Sequence, residues 1–273
     1  MLAVIEKIAE LPNQTQAWEK VKYSSAVINI QDECVCLFEE VAGMLLEEMK
    51  RQDLVSGEDV FLESYIGQIL KGKNMDIVEK IVELEWKQFD KVKNEGGRAE
   101  CQDNWGTFSI MRKSQYLAWT EELLESFYQD LLAAESKGWN LIMEKYARMM
   151  KSTCPEKYKE FEKDLPEISE ERIAIQEEII KIQVAWMEEF AGEYPKMAGN
   201  ARSIRTGEDT AYNTSYETYL RGEISTYSES TFLLYGRFIT ELMKQNGNLA
   251  YEIMENTAKL YGYSSVEDAE RKI

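Results

Sequence analysis

An all-α fold, a multi-helix bundle with an internally duplicated core, is predicted by three features of this sequence. Helix breakers are sparse: 273 residues contain 4 Pro and 15 Gly, and no proline lies between Pro12 and Pro155, which suits long helices. Apolar residues recur at helical spacing, and no stretch alternates with the period of two of a half-buried strand. Two stretches also repeat one another. A helix carrying Trp86 runs into the polar loop Asn94–Asp103 and then a helix with Arg112; a helix carrying Trp186 runs into Gly199–Asp209 and then a helix with Arg221. Each unit closes on Asn-Leu-x-x-Glu, at Asn140–Glu144 and Asn248–Glu252. The offsets are 100 at Trp, 109 at Arg and 108 at Asn, the difference matching the longer second loop. Such a duplication predicts a near two-fold body with two charged loops at its axis.

Taken in order, residues 1–75 read as an N-terminal helical extension, with Pro12-Asn13 interrupting its first helix. Ser56-Gly57-Glu58-Asp59 is a capped helix start, and Gly72 or Asn74 is expected to end that helix. The duplicated domain covers 76–273, with units at about 76–150 and 176–261. Its first helix, from Ile77 to Phe89, is apolar around much of its girth and so central. Helices resume near Thr107 and run to about Lys137. Gly138 ends this stretch, and Asn140 caps the next helix, to about Ser152. Pro155 and Pro166 bracket a short charged connector. Ser169-Glu170-Glu171 opens the second unit, which runs to Gly192 and Pro195. An irregular stretch of about twenty residues follows, long for a compact domain. Thr214 or Ser215 then starts one helix to about Gln245, Asn248 caps another, and Ser264-Ser265 caps a last short one.

The charge balance, 32 basic against 50 acidic residues, is −18. It disfavours a nucleic-acid surface and an anionic membrane face, and no apolar run reaches the roughly 18 residues of a membrane span. The start, Met1 to Lys7, lacks the basic and apolar pattern of a signal peptide. Cys34 and Cys36 point to different faces of a helix, a poor disulfide or chelate, so reduced, buried thiols and a cytoplasmic setting are expected. The chain has no His. That removes His-based acid–base chemistry and the usual zinc and di-iron sites. Glu100-x-x-Asp103 and Glu122-x-x-Glu125 stand in the wrong order for the Mg motif of helical nucleotide pyrophosphatases. No metal and no cofactor are expected.

The string Asn94-Glu95-Gly96-Gly97-Arg98-Ala99-x-Cys101-Gln102-Asp103, with Ile110-Met111-Arg112-x-Ser114-Gln115, resembles the bacterial family of domains of unknown function numbered 4125. So do Glu144-Lys145-Tyr146-Ala147-Arg148-Met149-Met150, Glu208-Asp209-Thr210 and Glu217-Thr218-Tyr219-Leu220-Arg221-Gly222-Glu223. The resemblance covers about residues 76–273 and carries no activity. It implies at most a helical module acting beside an enzyme such as a nucleotidyltransferase, and the chain shows no Gly-Ser turn followed by Asp-x-Asp on a strand.

The candidate site draws on both loops. The first offers Glu95, Arg98, Gln102 and Asp103 beside Gly96-Gly97, whose glycines allow close backbone approach. Arg112 and Gln115 follow, three apart on one helical face. The second offers Arg202 and Arg205, then Glu208 and Asp209; paired guanidiniums grip carboxylate or phosphate. Tyr219, Arg221, Glu223 and Tyr227 form a wall opposite, where a tyrosine beside an arginine would serve as general acid and a buried glutamate as base. Trp86, Trp119, Trp186, Met149 and Met150 read as core. Two functions stay open: a protein, enzyme or not, that binds a small anionic molecule between the repeats, or a helical protein-partner module without chemistry. Solvated loops with ordinary salt bridges are the plain structural alternative.

Overall fold

The computed structural model describes residues 59–93 and 97–273, with side chains from Met75 onward. The expectations for Pro12-Asn13, Cys34, Cys36, Ser56-Gly57-Glu58, Glu95 and Gly96 fall outside those residues. The chain divides into two compact units, 1–72 and 73–273, and the second holds every candidate site residue.

Among the described residues there are eleven α-helices and no strand. They are α1 (Asp59–Asp90), α2 (Trp105–Tyr116), α3 (Glu121–Ser136), α4 (Leu141–Thr153), α5 (Pro155–Phe161) and α6 (Glu170–Glu193). After these come α7 (Pro195–Gly199), α8 (Tyr216–Ile224), α9 (Glu229–Lys244), α10 (Leu249–Leu260) and α11 (Val266–Lys272). Single 3-10 turns occupy Glu100–Asp103, Glu162–Asp164 and Thr206–Glu208. No described helix is long and apolar enough to cross a membrane.

Side-chain caps set most helix starts. Asn104, Thr120, Asn140, Ser169, Ser215, Ser228, Asn248 and Ser265 each accept a backbone N–H of the first turn, and such a cap contributes about 1 kcal/mol. Two caps divide helical stretches, and the second corrects the sequence reading. The helices expected over Thr107 to Lys137 are two, divided at Leu117–Thr120, where Thr120 starts α3. The single helix expected from Ser215 to Gln245 is broken at Ser225–Ser228, where Ser228 starts α9. In both, a hydroxyl followed by acids (Thr120-Glu121-Glu122, Ser228-Glu229) outranks unbroken apolar periodicity. Conversely α1 runs on through Gly72 and Asn74, because one glycine costs a helix only about 1 kcal/mol and does not break its hydrogen bonding.

Left-handed residues end α3 and α9 in the same way. Gly138 (φ +68°) lets Trp139 N–H reach Ala134 O at 2.8 Å, and Asn246 (φ +54°) lets Gly247 N–H reach Leu242 O at 2.8 Å. Both are six-to-one closures of the kind that satisfy orphan helix carbonyls.

Cross-pairing of helices builds the body: α2 packs on α10, α4 on α8, α3 on α9, and α6 on both α8 and α10. Four rings fill the centre. Trp119 lies 5.7 Å from Phe127 and 5.6 Å from Tyr235, and Tyr227 lies 5.4 Å from Phe127 and 5.5 Å from Tyr235, between centroids. Trp119, Phe127, Tyr227 and Tyr235 are all buried, with Ile81, Leu123, Leu131, Ile180 and Ile224 in the same core. Of the other residues expected in the core, Met149 is buried, while Trp86, Met150 and Trp186 are half-buried. The two described cysteines are free thiols, but Cys101 is exposed rather than buried. It sits in the short 3-10 turn of the first loop, where Gln102 is the residue that turns inward.

Helices α4 and α8 meet most closely at Gly222, where a Cβ would stand 2.8 Å from Met149 Cγ and 2.9 Å from Lys145 O. The backbone carbonyl cannot yield, so the absence of a side chain sets the helix separation. Gly222→Ala is expected to destabilise by about 1–3 kcal/mol, outweighing the ~1 kcal/mol alanine gains over glycine in a helix. Gly192→Ala in α6, with nothing within 4 Å, should be neutral or slightly stabilising. Urea melts of the two variants check this; effects of the same sign and size from both would contradict the close crossing.

Candidate functional site

The helix crossings carry four ionised side chains into the interior. Arg112 on α2, Glu85 on α1, Lys145 on α4 and Glu223 on α8 are each 5% exposed or less. Two cations face two carboxylates, so the set is neutral. Arg112 grips Glu85 through Nε and Nη2, both at 2.7 Å, and reaches Glu223 through Nη1 at 3.0 Å and Nη2 at 3.2 Å. Its Nη1 also donates to Gln115 Oε1 at 3.1 Å, and Nη2 bonds the Tyr116 hydroxyl. A guanidinium has five N–H donors, and all are used.

Glu223 is the hub. Besides Arg112 it accepts from Lys145 Nζ at 3.0 Å, Gln115 Nε2 at 2.5 Å and, at the limit of 3.5 Å, the Tyr227 hydroxyl. Burial pushes its carboxyl up, but Arg112 and Lys145 outweigh this and hold it well below the ordinary carboxylate range. Burial likewise opposes charge on Arg112 and Lys145, and the neighbouring glutamates overcome it and raise both. Burial raises the Tyr116 and Tyr227 hydroxyls. The site therefore stores charge: Glu223 is bound too tightly by donors to serve as a ready proton acceptor.

From Lys145 the network turns outward. Lys145 Nζ donates to Tyr219 Oη at 2.8 Å and stands 4.0 Å from that ring's centroid. Arg202, exposed on the second loop, lies 4.6 Å from the same centroid and donates Nη1 to Thr214 O at 3.3 Å. Tyr146, half-buried, adjoins. Burial pushes its hydroxyl up; Tyr219 adds to this, Lys145 and Arg202 oppose it, and Cys101 adds a smaller push. One tyrosine thus feels Cys101 from the first loop and Arg202 from the second. A run of rings continues from Tyr146 through Phe89 and Phe108 to Trp105, which is 41% exposed.

The five arginines singled out in the sequence go to different places. Arg98 clamps the first loop to the end of α1, bonding Asp103 at 2.8 Å, Asp90 at 2.7 Å and Gln102 O at 2.7 Å. Gln102 is buried there and donates to Phe89 O and Val92 O, capping the helix end. Arg205 pairs with Glu188 at the surface, both bonds 2.6 Å, while its own N–H bonds Glu208. Arg221 holds Glu177 at 2.7 and 2.9 Å, Glu217 at 3.0 Å and Thr206 Oγ1 at 3.1 Å. Asp209 accepts from Ser152 Oγ, Ser215 N and Thr218 Oγ1 at 2.5, 2.7 and 2.6 Å, tying the second loop to α4 and α8. The expected set therefore parts into the network residues Arg112, Gln115, Glu223 and Tyr227, the rim residues Tyr219 and Arg202, and loop staples made by Arg98, Gln102, Asp103, Arg205, Glu208, Asp209 and Arg221. Only Arg202 among the five has no carboxylate partner among the described residues.

Glu85 and Lys145 belong to the network without being among the residues expected from the sequence. Their signal is a charge among apolar neighbours: Lys145 has Leu141, Ile142 and Met149 at i−4, i−3 and i+4, with Arg148 at i+3, and Glu85 follows Ile81 and Val82. Among the described residues no group of three or more Asp, Glu or Cys is placed to hold a metal.

Asp209 gives the site a pH signature. Burial pushes its carboxyl up, yet the Ser152, Thr218 and Ser215 donors outweigh this and lower it, and Glu223 is lowered too. A carboxyl lowered in the folded state adds stability that is complete above its unfolded value, near pH 4, and is lost as pH falls towards the folded one. The melting temperature should thus fall below about pH 5. Asp209→Asn should be less stable at pH 7 with a shallower acid slope. An unchanged slope would remove Asp209 from the groups responsible.

The chain matches no curated protein and no solved structure. A family described as "Protein of unknown function (DUF4125)" matches residues 75–271, which takes in the network, the second half of α1 and the helices from α2 through nearly all of α11. By this match and by the motifs that build the network, the chain belongs to the DUF4125 family.

Proposed function

We propose that this domain binds a small anionic molecule at the rim formed by Tyr219 and Arg202. One observation carries the reading. Tyr219 Oη accepts from the buried Lys145 ammonium, and among the described residues its own proton has no acceptor, while the neighbouring Arg202 guanidinium bonds a single carbonyl. A phenol polarised by an ammonium and a guanidinium with free N–H groups thus offer donors side by side. A phosphate or carboxylate would accept from both, with the short charge-assisted bonds that make such contacts strong. Lys145 adds positive potential from beneath without being consumed, because Glu223 fixes it.

The rim sits in a chain of net charge −18, so an anion gains nothing from the protein as a whole and needs this local arrangement. The aromatic run towards Trp105 supports a ligand with an apolar or ring-bearing part beside its charge. The depressed proton affinity of Glu223 supports binding rather than general-base catalysis.

A thermal-shift screen of inorganic phosphate, phosphorylated metabolites and di- and tricarboxylic acids tests this. At a hundredfold excess over Kd, binding adds about 2.7 kcal/mol, or roughly 5–10 °C for a domain of this size. Arg202→Ala, a change at an exposed residue, should leave the unliganded melt in place and weaken the anion by about tenfold or more. Tyr219→Phe should weaken it too, while Arg205→Ala should bind like wild type. If no anion separates Arg202→Ala from wild type, the anion site is wrong and the partner-module reading takes its place.

A further inference from the structure

Contacts made in one half of the helical unit recur in the other at a fixed offset. Asn140 and Asn248, 108 apart, each cap a helix and each send Nδ2 to a carbonyl of the preceding long helix, Gln88 O and Trp186 O, which are 98 apart. Lys113 pairs with Glu79 and Arg221 with Glu177, again 108 apart on one side and 98 on the other. The left-handed residues Gly138 and Asn246, and the caps Thr120 and Ser228, also stand 108 apart. The ten-residue difference falls between the long helix and the next one, where the second half carries α7. On this register the partner of Arg112 is Leu220 rather than Arg221, and that of Trp86 is Val184 rather than Trp186, a shift of one and of two from the pairing of motifs.

The central rings favour a two-fold relation. Moving by 108 turns Trp119 into Tyr227 and Phe127 into Tyr235, so the contact Trp119–Tyr235 at 5.6 Å becomes Tyr227–Phe127 at 5.4 Å. Exchanging the halves sends a contact between them onto another contact between them, as a two-fold relation requires and a translation does not.

The charged network breaks this symmetry. Glu85 corresponds to Gln183, Arg112 to Leu220, Lys145 to Ile253, Tyr219 to Met111 and Glu223 to Gln115. Leu220 and Gln183 are buried and Ile253 is half-buried, with no charge among the five. At these five positions one side of the equivalent helix crossings carries neutral side chains only, and Gln115, the counterpart of Glu223, joins the charged network by bonding Arg112 and Glu223. We infer that the unit is a two-fold duplication in which Glu85, Arg112, Lys145, Tyr219 and Glu223 form a functional site at only one of two equivalent places, giving one site per chain. The function assigned to that site rests on the anion reading above; the dispensability of the charges for folding does not. A buried ion cluster replaced as a whole by packed groups is often neutral or stabilising, whereas removal of one member strands a charge.

The test copies the neutral half onto the charged one: Glu85→Gln, Arg112→Leu, Lys145→Ile, Tyr219→Met and Glu223→Gln together, with Tyr116→Phe to remove the hydroxyl that bonds Arg112. Arg112→Leu alone should lower the melting temperature by roughly 10 °C. The combined variant should melt cooperatively and recover most of that loss, and inorganic phosphate should no longer shift it. A volume-matched version with Arg112→Met and Lys145→Met guards against misfit. If both combined variants melt as low as Arg112→Leu or fail to fold, the charges are needed by the fold and the inference falls. If both recover and wild type is unmoved by phosphate and every other anion, the inference on folding stands and the anion reading alone falls.

Discussion

The constraint that links the buried polar groups of this domain is the neutralisation of Arg112. A guanidinium buried to this degree is tolerable only if each donor is met and its charge is balanced, and the acceptors come from helices distant in sequence: Glu85 on α1 and Glu223 on α8. Meeting that demand ties α2 to α1 and α8. Glu223 then carries one carboxylate against two cations, which brings in Lys145 and with it α4. Gly222, beside Glu223, lets α4 and α8 come close enough for that bond to form. The Arg221-Gly222-Glu223 string thus does three jobs in three residues: it staples the second loop, sets a helix spacing and holds the hub.

How far the sequence shows this depends on the physical range of each signal. Helix content follows from local features, sparse breakers and apolar spacing, and it is visible. The caps at Thr120 and Ser228 are also local, but a four-residue interruption of an apolar pattern is easily read through. Partner choice is not local. Arg98, Arg112, Arg202, Arg205 and Arg221 look alike along the chain, and only folding decides that Arg98 meets Asp90, Arg205 meets Glu188 and Arg112 meets Glu85 and Glu223. In a chain with 50 acidic residues, most arginines find a carboxylate, so a cluster of arginines in sequence is a weak sign of an anion site. The informative charges are those set among buried apolar neighbours, Glu85 and Lys145.

The loops are stapled rather than open. Asp209 and Arg221 fasten the second to α4, α6 and α8, and Arg98 with Gln102 fastens the first to α1. On the proposed reading, ordering of this kind would lower the entropy cost of presenting Arg202 and Tyr219 to an anion. It also explains why most of the expected ligand residues bond to the protein itself: they hold the rim, and a smaller set faces outward. The motifs that this chain carries as a DUF4125 member thus fall into two layers, staples and network, around that rim.

The most direct measurement of the shared charge balance is a double-mutant cycle between Arg112→Met and Glu223→Gln, by urea denaturation. Each single change leaves the buried set with one uncompensated charge, and the double change restores neutrality. The double variant is predicted to be more stable than the sum of the singles by roughly 2–3 kcal/mol. Effects that add to within about 0.5 kcal/mol would contradict this, because the two side chains would then not share a buried charge balance.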